Sequence, residues 1–349
     1  MTTEQGETAY GRIFPPRQDW LDKAPHEEAI EPGLAIVDTH HHLWDWPERG
    51  RYMTEELLAD TGDGHKVEAT VFIECRFAYR EDGPPEMRPV GEVAEVARIA
   101  ADADRRFGTG TRVAAGIVGY ADLATGDRVE PVLQALVEAG QGRFRGVRNS
   151  AGWHQDPIIG NNHHGAGPGH YLKPEFHAGL KRLTAMGLSL DALVYHHHHD
   201  DILALARACP EANIIMNHTG MPLGYGPFKG RLEEVRTQWI KFLPEIAACE
   251  NVTMKLGGMM MRLAAYDYNK VPAPPSSKEL ANHWRPWIEP CIEMFGANRC
   301  NFESNFPVDK MGIGYRALWN AFKHIAAGAS ADEKRDLFSG TAKRIYKLE

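Results

Sequence analysis

Leu34-Ala35-Ile36-Val37-Asp38-Thr39-His40-His41-His42-Leu43-Trp44 is the stretch on which the fold turns. A short apolar run of this kind reads as a buried strand, and here it ends in three consecutive histidines. Side chains alternate faces along a strand, so His40 and His42 are expected on one side and His41 on the other. Two imidazoles on one face at a strand end suit metal ligation or proton transfer. A single histidine there is more often a satisfied polar residue. The pair favours a functional site, because ionisable clusters mark sites.

The rest of the chain repeats that pattern. Apolar runs at 69–76, 113–120, 144–149, 188–196, 213–220 and 252–258 read as further strands, and 300–309 as an eighth strand with its exit loop. Helices are predicted at 90–107, 129–139, 174–186, 200–208, 232–248 and 284–295, with two more at 316–327 and 332–346. Strands alternating with helices imply a parallel sheet, and eight such units in one domain imply an α/β fold of the (β/α)8 TIM-barrel type. A doubly wound sheet would want a glycine-rich phosphate turn after the first strand. Histidines stand there instead, and no GxGxxG or P-loop pattern is present. The domain reading is an N-terminal extension over 1–33, punctuated by Pro15-Pro16, Pro25 and Pro32, and a barrel over 34–349. Between strand four and the next helix, Ser150 to about Leu172 is rich in Gly, His and Asn and carries Trp153, His154 and His163-His164. A loop this long in a compact domain reads as a lid.

Composition narrows the function classes. Lys+Arg is 39 against 47 Asp+Glu, a net charge of -8, which argues against nucleic-acid binding. The polar, acidic start does not read as a secretory signal, and no apolar run approaches the roughly 18 residues of a membrane span. The cysteines at 75, 209, 249, 291 and 300 show no CxxC spacing, which fits a reduced, cytoplasmic protein. The expected partner is a small-molecule substrate, with neither nucleic acid nor membrane implied; assembly as a homo-oligomer is left open.

Barrel enzymes carry their chemistry at the C-terminal ends of the strands. Ionisable residues recur at those ends here: His40 and His42, Glu74, Arg145 and Arg148, His196 and His198, His218, Lys255, then Glu303, Asn305 and Asp309. Each is weak evidence singly, and the recurrence is the strongest signal in the chain. An arginine fork matches a carboxylate, and strand alternation lets at most one of Arg145 and Arg148 look inward. Lys255 reads either as an anion holder or as a rim residue. Trp44, Trp153 and Tyr195 read either as walls of a site or as core.

Four separated motifs carry a resemblance: Val37-Asp-Thr-His-His-His-Leu-Trp44, Phe144-Arg-Gly-Val-Arg-Asn149, Asn217-His-Thr-Gly-Met-Pro-Leu-Gly224 and Phe302-Glu-Ser-Asn-Phe-Pro-Val-Asp309. They resemble the amidohydrolase superfamily, and within it the amidohydrolase-related (amidohydrolase 2) branch of TIM-barrel metal-dependent hydrolases, which includes sugar-acid lactonases and pyrone-dicarboxylate lactonases. The resemblance runs from about residue 34 to Tyr346. It implies a hydrolase that opens a lactone or related cyclic ester, of a small carboxylated or sugar-acid-like substrate, by water attack on the carbonyl. Alternatives on the same barrel are a metal-dependent decarboxylase or amidase, or a catalytically inactive binding protein.

The resemblance implies a divalent metal, zinc by ligand type, on His40, His42, His196 and His218; a metal-free variant would use the histidines as hydrogen-bond donors. His40, His42, His218, Glu303 and Asp309 are then the catalytic candidates, and Arg148, Arg145, His196, His198, His154, Lys255, Asn305 and Trp44 the substrate-binding ones. One departure stands out. The superfamily usually has Asp where this chain has Asn305, and a neutral amide is no base. The acid's place falls to Glu303, Asp309 or a histidine such as His218, with Asp309 or a histidine preferred.

Overall fold

The computed structural model describes residues 13–108, 110–159, 166–260 and 271–348. Eight parallel strands pair in sequence order: β1 (Ala35–His41), β2 (Lys66–Ile73), β3 (Arg112–Gly119), β4 (Phe144–Ser150), β5 (Ser189–Leu193), β6 (Asn213–Met216), β7 (Val252–Leu256) and β8 (Cys300–Phe302). Helices cover them: α1 (Thr54–Thr61), α2 (Val90–Phe107), α3 (Glu130–Ala139), α4 (Pro174–Ala185), α5 (His199–Ala208), α6 (Leu232–Ile240), α7 (Leu243–Ala247), α8 (Ser277–Phe295) and α9 (Tyr315–Ile325). Two short helices, α10 (Ala331–Arg335) and α11 (Thr341–Ile345), lead to the C-terminus. This is the expected (β/α)8 barrel.

The strands read as near-continuous apolar runs because both faces are buried. Val37, Val71, Ile73, Ala115, Val118 and Ile215 pack inside the barrel with Ala342, Tyr346 and Leu348, so the C-terminal segment plugs its floor. In α2, Val93, Val96, Ala97 and Ala100 recur at helical spacing and form the buried stripe against the sheet.

The seam between β8 and β1 closes differently from the other seams. Among the described residues a single bridge, His41 to Phe306, joins the two sides, and the His42 amide donates to the Phe306 carbonyl at 2.8 Å. Side chains complete it. Thr39 Oγ1 donates to Asn301 Oδ1 at 2.7 Å, the Ser304 amide donates to Asp38 Oδ1 at 2.9 Å, and Tyr315 OH donates to Asp38 Oδ2 at 3.0 Å.

Several boundaries shift from expectation. The helix predicted over 232–248 is two, and Pro244 in the first turn of α7 explains the break, since proline lacks the N–H a continuous helix would use. The last strand stops at Phe302, and its exit loop turns through Asn305 at φ 54. The run His196–His198 is a 3-10 turn and not a strand end, so strand alternation does not sort those rings. α8 starts earlier than read, at Ser277, where Ser276 and Glu279 form a reciprocal cap. Within 44–61 the chain forms the hairpin Trp44–Trp46 with Gly50–Tyr52, followed by α1.

Of the expected lid, residues 160–165, with His163 and His164, lie outside the described residues. The described part of the N-terminal segment packs on α9: the Ile30 amide donates to Asn320 Oδ1 at 2.8 Å, and Lys323 Nζ donates to the Ile30 carbonyl at 2.8 Å. Among the described residues no helix is long and apolar enough to cross a membrane.

Glu92, in the first turn of α2, ties down the loop that follows β2. Its buried Oε1 accepts from the Cys75 amide at 2.9 Å and the Phe77 amide at 2.8 Å. Burial, reinforced by the charge of Glu74, pushes the Glu92 carboxyl from its ordinary 4.5 up to about 8. Between those values the folded chain holds a proton that the unfolded chain has lost. Stability therefore falls as pH rises through that window and levels off above it. Glu92→Gln cannot ionise and keeps the accepting oxygen. Its thermal stability relative to the wild type should rise from pH 5 to pH 8. A difference in Tm that does not change between those two pH values would show that Glu92 carries no extra proton.

Candidate active site

The centre of the site is a buried lysine. Lys255 lies on β7 between two residues of the outer core, Met254 and Leu256, and so points into the barrel. Its ammonium is fully buried, 3.2 Å from Asp191 Oδ1, 3.2 Å from Glu303 Oε2 and 3.1 Å from His40 Nδ1. An isolated buried charge is costly, and the two carboxylates compensate this one. Asp191 is fixed in turn. Its Oδ1 accepts from Tyr346 OH at 2.9 Å and from Asn217 Nδ2 at 2.9 Å. Tyr346 also lies under Lys255, whose Nζ is 5.8 Å from the ring centroid.

Glu303 stands between two histidines. Its Oε1 accepts from His218 Nδ1 at 2.7 Å and from the His218 backbone amide at 3.0 Å, and its Oε2 lies 2.7 Å from His40 Nδ1. Burial alone would raise the Glu303 carboxyl, but its contacts with His218, Lys255 and His40 hold it well below the usual carboxylate range. His40 is held well below the usual imidazole range, first by burial and then by Lys255. A neutral ring accepts at one nitrogen only. For His40, Nδ1 lies between the Glu303 carboxylate at 2.7 Å and the Lys255 ammonium at 3.1 Å, and Nε2 lies 3.4 Å from Arg148 Nη1. Arg148 is buried and paired: its Nε donates to Glu74 Oε1 at 2.8 Å.

The backbone around His218 is strained to make this possible. His218, Thr219 and Met221 have φ of 55, 54 and 47, a region that costs a residue other than glycine roughly 1–2 kcal/mol. Two glycines after β7 supply the space. A Cβ on Gly258 would lie 1.9 Å from His218 Nδ1, and one on Gly257 would lie 2.3 Å from the Glu303 carbonyl oxygen.

His40, His218 and Glu303 each place one potential ligand atom within 4.8 Å of the others, which among the described residues is a group able to hold a metal ion. Two imidazoles and a carboxylate form a donor set that zinc accepts. His42 and His196 are outside that group. His42 does share the inward side with His40, their ring centroids 4.9 Å apart, and its Nδ1 lies 2.7 Å from the Ile73 carbonyl oxygen. The tautomer that donates there leaves Nε2 as an acceptor. His41 points outward to Thr70 and Phe72, as alternation predicts.

The carboxylate among the histidines is that of Glu303. Asp309 does not fold back to them: its Oδ1 accepts from Asn305 Nδ2 at 3.0 Å and its Oδ2 from the Met260 amide at 3.3 Å. Asn305 supports that turn. Arg145 sits at the opposite end of β4, donating to the carbonyls of Gly142 and Phe144. The register of β4 against β3 skips a residue there, which undoes the simple alternation of the two arginines. Lys255 is no rim residue but the buried centre. Trp44 is buried and its ring stacks with both His42 and Trp46, so it props His42. His154, His196 and His198 gather elsewhere on the same end of the barrel. With His197 and Phe228 they form a rim cluster with neighbouring ring centroids 4.2 to 5.6 Å apart.

Sequence reasoning missed Asp191, Asn217 and Tyr346. Asp191 had a signal, a charge inside an otherwise apolar strand. Tyr346 had none, since nothing in the spacing says that the last helix reaches under β5 and β7.

A sequence model described as amidohydrolase matches residues 37–348. The chain belongs to the amidohydrolase family. It is 31% identical over 340 residues to the uncharacterised protein y4mH of Sinorhizobium fredii, covering 90% of this chain and 99% of that one. It is 24% identical over 334 residues to L-fucono-1,5-lactonase of Burkholderia ambifaria, covering 90% of this chain and 96% of that one. Among solved structures, an amidohydrolase from Burkholderia multivorans with bound zinc superposes with a TM-score of 0.69 at 20% identity, covering 90% of this chain and all of that one (100%).

Space at Gly258 is the feature of this amidohydrolase most open to test. Gly258→Ala should displace the His218 ring, weaken by at least tenfold any divalent-metal binding that calorimetry with added zinc detects in the wild type, and lower turnover of any substrate by at least a hundredfold, with the far-UV circular dichroism unchanged. Unaltered zinc affinity and turnover would show that the ring tolerates the methyl group.

Proposed function

We propose that this amidohydrolase is a lactonase: it opens a small cyclic ester by adding water to the carbonyl. The observation that carries the reading is the Glu303–His218 pair. A carboxylate that accepts from Nδ1 at 2.7 Å keeps the proton on that nitrogen and leaves Nε2 free to take one from water. Glu303 thereby takes over the acidic place that Asn305 does not fill. In the proposed reaction, water's oxygen bonds to the carbonyl carbon while His218 accepts its proton. The ring C–O bond then breaks, and the same proton passes to the departing alkoxide. Arg148, whose Nη1 lies beside His40 Nε2, is the donor placed to meet charge developing on the carbonyl oxygen. Lys255 holds Glu303 and His40 in place and keeps the carboxylate ionised. If His40, His218 and Glu303 instead held a divalent metal, the ion would supply Lewis acidity and a bound water of lowered pKa in place of His218 as proton acceptor. The 24% identity to a sugar lactonase over most of both chains supports the choice of bond.

The test is a pH-indicator screen of aldonolactones, simple esters and amides, with carbon dioxide release measured in parallel. Acid release from lactones is expected, and Glu303→Gln should lower kcat by about 10²–10⁴-fold, the usual worth of a positioned proton acceptor. Carbon dioxide evolution, or turnover of amides alone, would replace this reading. Full activity in Glu303→Gln would remove the dyad from the mechanism.

A further inference from the structure

His218 stands on a backbone that would not keep its shape unaided. Four consecutive residues, His218, Thr219, Gly220 and Met221, have φ of 55, 54, 69 and 47. Such a left-handed run is unfavourable wherever a Cβ is present. The direction of the His218 ring follows from this backbone, so whatever holds the run also aims the ring.

The carbonyl oxygens show what holds it. That of His218 accepts from the Met221 amide at 2.8 Å, and that of Met221 from the His196 amide at 3.2 Å. The two between them are met by side chains from neighbouring units of the barrel. The Thr219 carbonyl accepts from Trp239 Nε1 at 2.7 Å, and the Gly220 carbonyl lies 2.7 Å from His199 Nε2. The Thr219 side chain fastens the run on its other side, its Oγ1 accepting from the Gly257 amide at 3.0 Å.

His199 opens α5 and Trp239 lies near the end of α6, and both are fully buried. They also meet each other, with His199 Nδ1 3.0 Å from the Trp239 carbonyl oxygen. A carbonyl oxygen only accepts, so the imidazole serves it by donating. The shorter contact, to Gly220, is the one its proton is placed to make. A Cβ on Gly220 would lie 2.9 Å from His199 Nε2, so ring and turn are in direct contact. A buried histidine and tryptophan ordinarily fill space. These two send their polar atoms to adjacent peptide carbonyls, the pair that directly follows His218.

We infer that His199 and Trp239 are positioning residues for the reaction. From the helical layer they fix the peptide planes after His218 and so keep its imidazole on Glu303, with Nε2 turned to the water. The inference rests on the lactonase reading of His218 and adds to it two residues that act only through the backbone.

The experiment uses three variants. Trp239→Phe removes the indole N–H and keeps an aromatic ring, His199→Phe removes the imidazole N–H, and His199→Gln returns an amide donor at the reach of Nε2. The first readout needs no substrate. It is the proton NMR resonance of His218 Nδ1–H in chelator-treated protein, carried downfield by its contact with Glu303 and assigned by its loss in His218→Gln. Turnover of a lactone is followed on chelator-treated enzyme and after zinc addition. The expectation is the same in both, since a misaimed ring serves neither as proton acceptor nor as ligand. The resonance should move upfield or broaden away in both phenylalanine variants and return in His199→Gln. In the phenylalanine variants kcat should fall by about 10²-fold, the cost of misplacing a reacting group by an ångström. KM should change by less than about threefold, as for an interaction felt only in the transition state. His199→Gln should recover about tenfold of the lost kcat, which a residue that only fills space would not allow. Should His199→Phe fail to fold, Trp239→Phe with His199→Gln carries the comparison. A wild-type resonance and kcat in Trp239→Phe overturn the inference, and so does a His199→Gln no better than His199→Phe. If the resonance moves as expected but no lactone is opened, the lactonase reading fails and the positioning stands. Absence of the resonance from the wild type overturns both.

Discussion

A carboxylate removed from water must be surrounded by donors, and in this barrel Glu303 is so surrounded. Taking one partner from a buried ion pair costs about 3–5 kcal/mol because the other charge is left unanswered. The groups around Glu303 are therefore tied to one another. Lys255 needs both Glu303 and Asp191, Asp191 is held by Asn217 and Tyr346, and His218 reaches Glu303 only through a left-handed turn. Gly257 and Gly258 are there because no side chain fits between these groups. The placement of β6, β7, β8 and the C-terminal helix follows from keeping one negative charge satisfied.

The barrel was legible because its signal is repetitive. Apolar runs and helices alternate, and errors of a few residues at boundaries such as Pro244 or Phe302 leave the topology unchanged. His40, His42 and His218 were legible for a related reason, since they stand at the ends of readable strands. What eluded the sequence was of another kind. Asp191 and Tyr346 meet through a contact 155 positions apart along the chain. Whether a charge is free or paired is a matter of neighbours, so Arg148 read as a substrate clamp until Glu74 was seen beside it. The histidines at 196–198 stand in a turn beyond the end of β5, where strand alternation gives no guide to which ring faces which way.

Asn305 looked like a lesion in the site and is better understood as a backbone residue. Its φ of 54 is one that asparagine tolerates better than most residues, and its side chain ties down Asp309. The carboxylate that stands among the histidines is that of Glu303, two positions earlier, directly after β8. There the carboxylate lies deeper, and its surroundings, an ammonium and two imidazoles, are supplied by β7, β1 and β6. This chain thus has an acid opposite its histidines although Asn305 stands in the turn. Members with this arrangement are to be compared through the surroundings of the acid and not through its position in an alignment.

Tyr346 also sets a constraint of timing. It lies near the end of the chain and anchors Asp191, and through it Lys255, from beneath the barrel. During synthesis the chain emerges from its N-terminus, so the first strand and its histidines are made long before the residue that fixes the central charges. A nascent chain cannot complete this centre until Tyr346 has been made, after all eight strands. A chain cut before Tyr346 would keep the strands of the barrel and lack the hydroxyl that fixes Asp191, so that the charge network is set by a residue outside every strand.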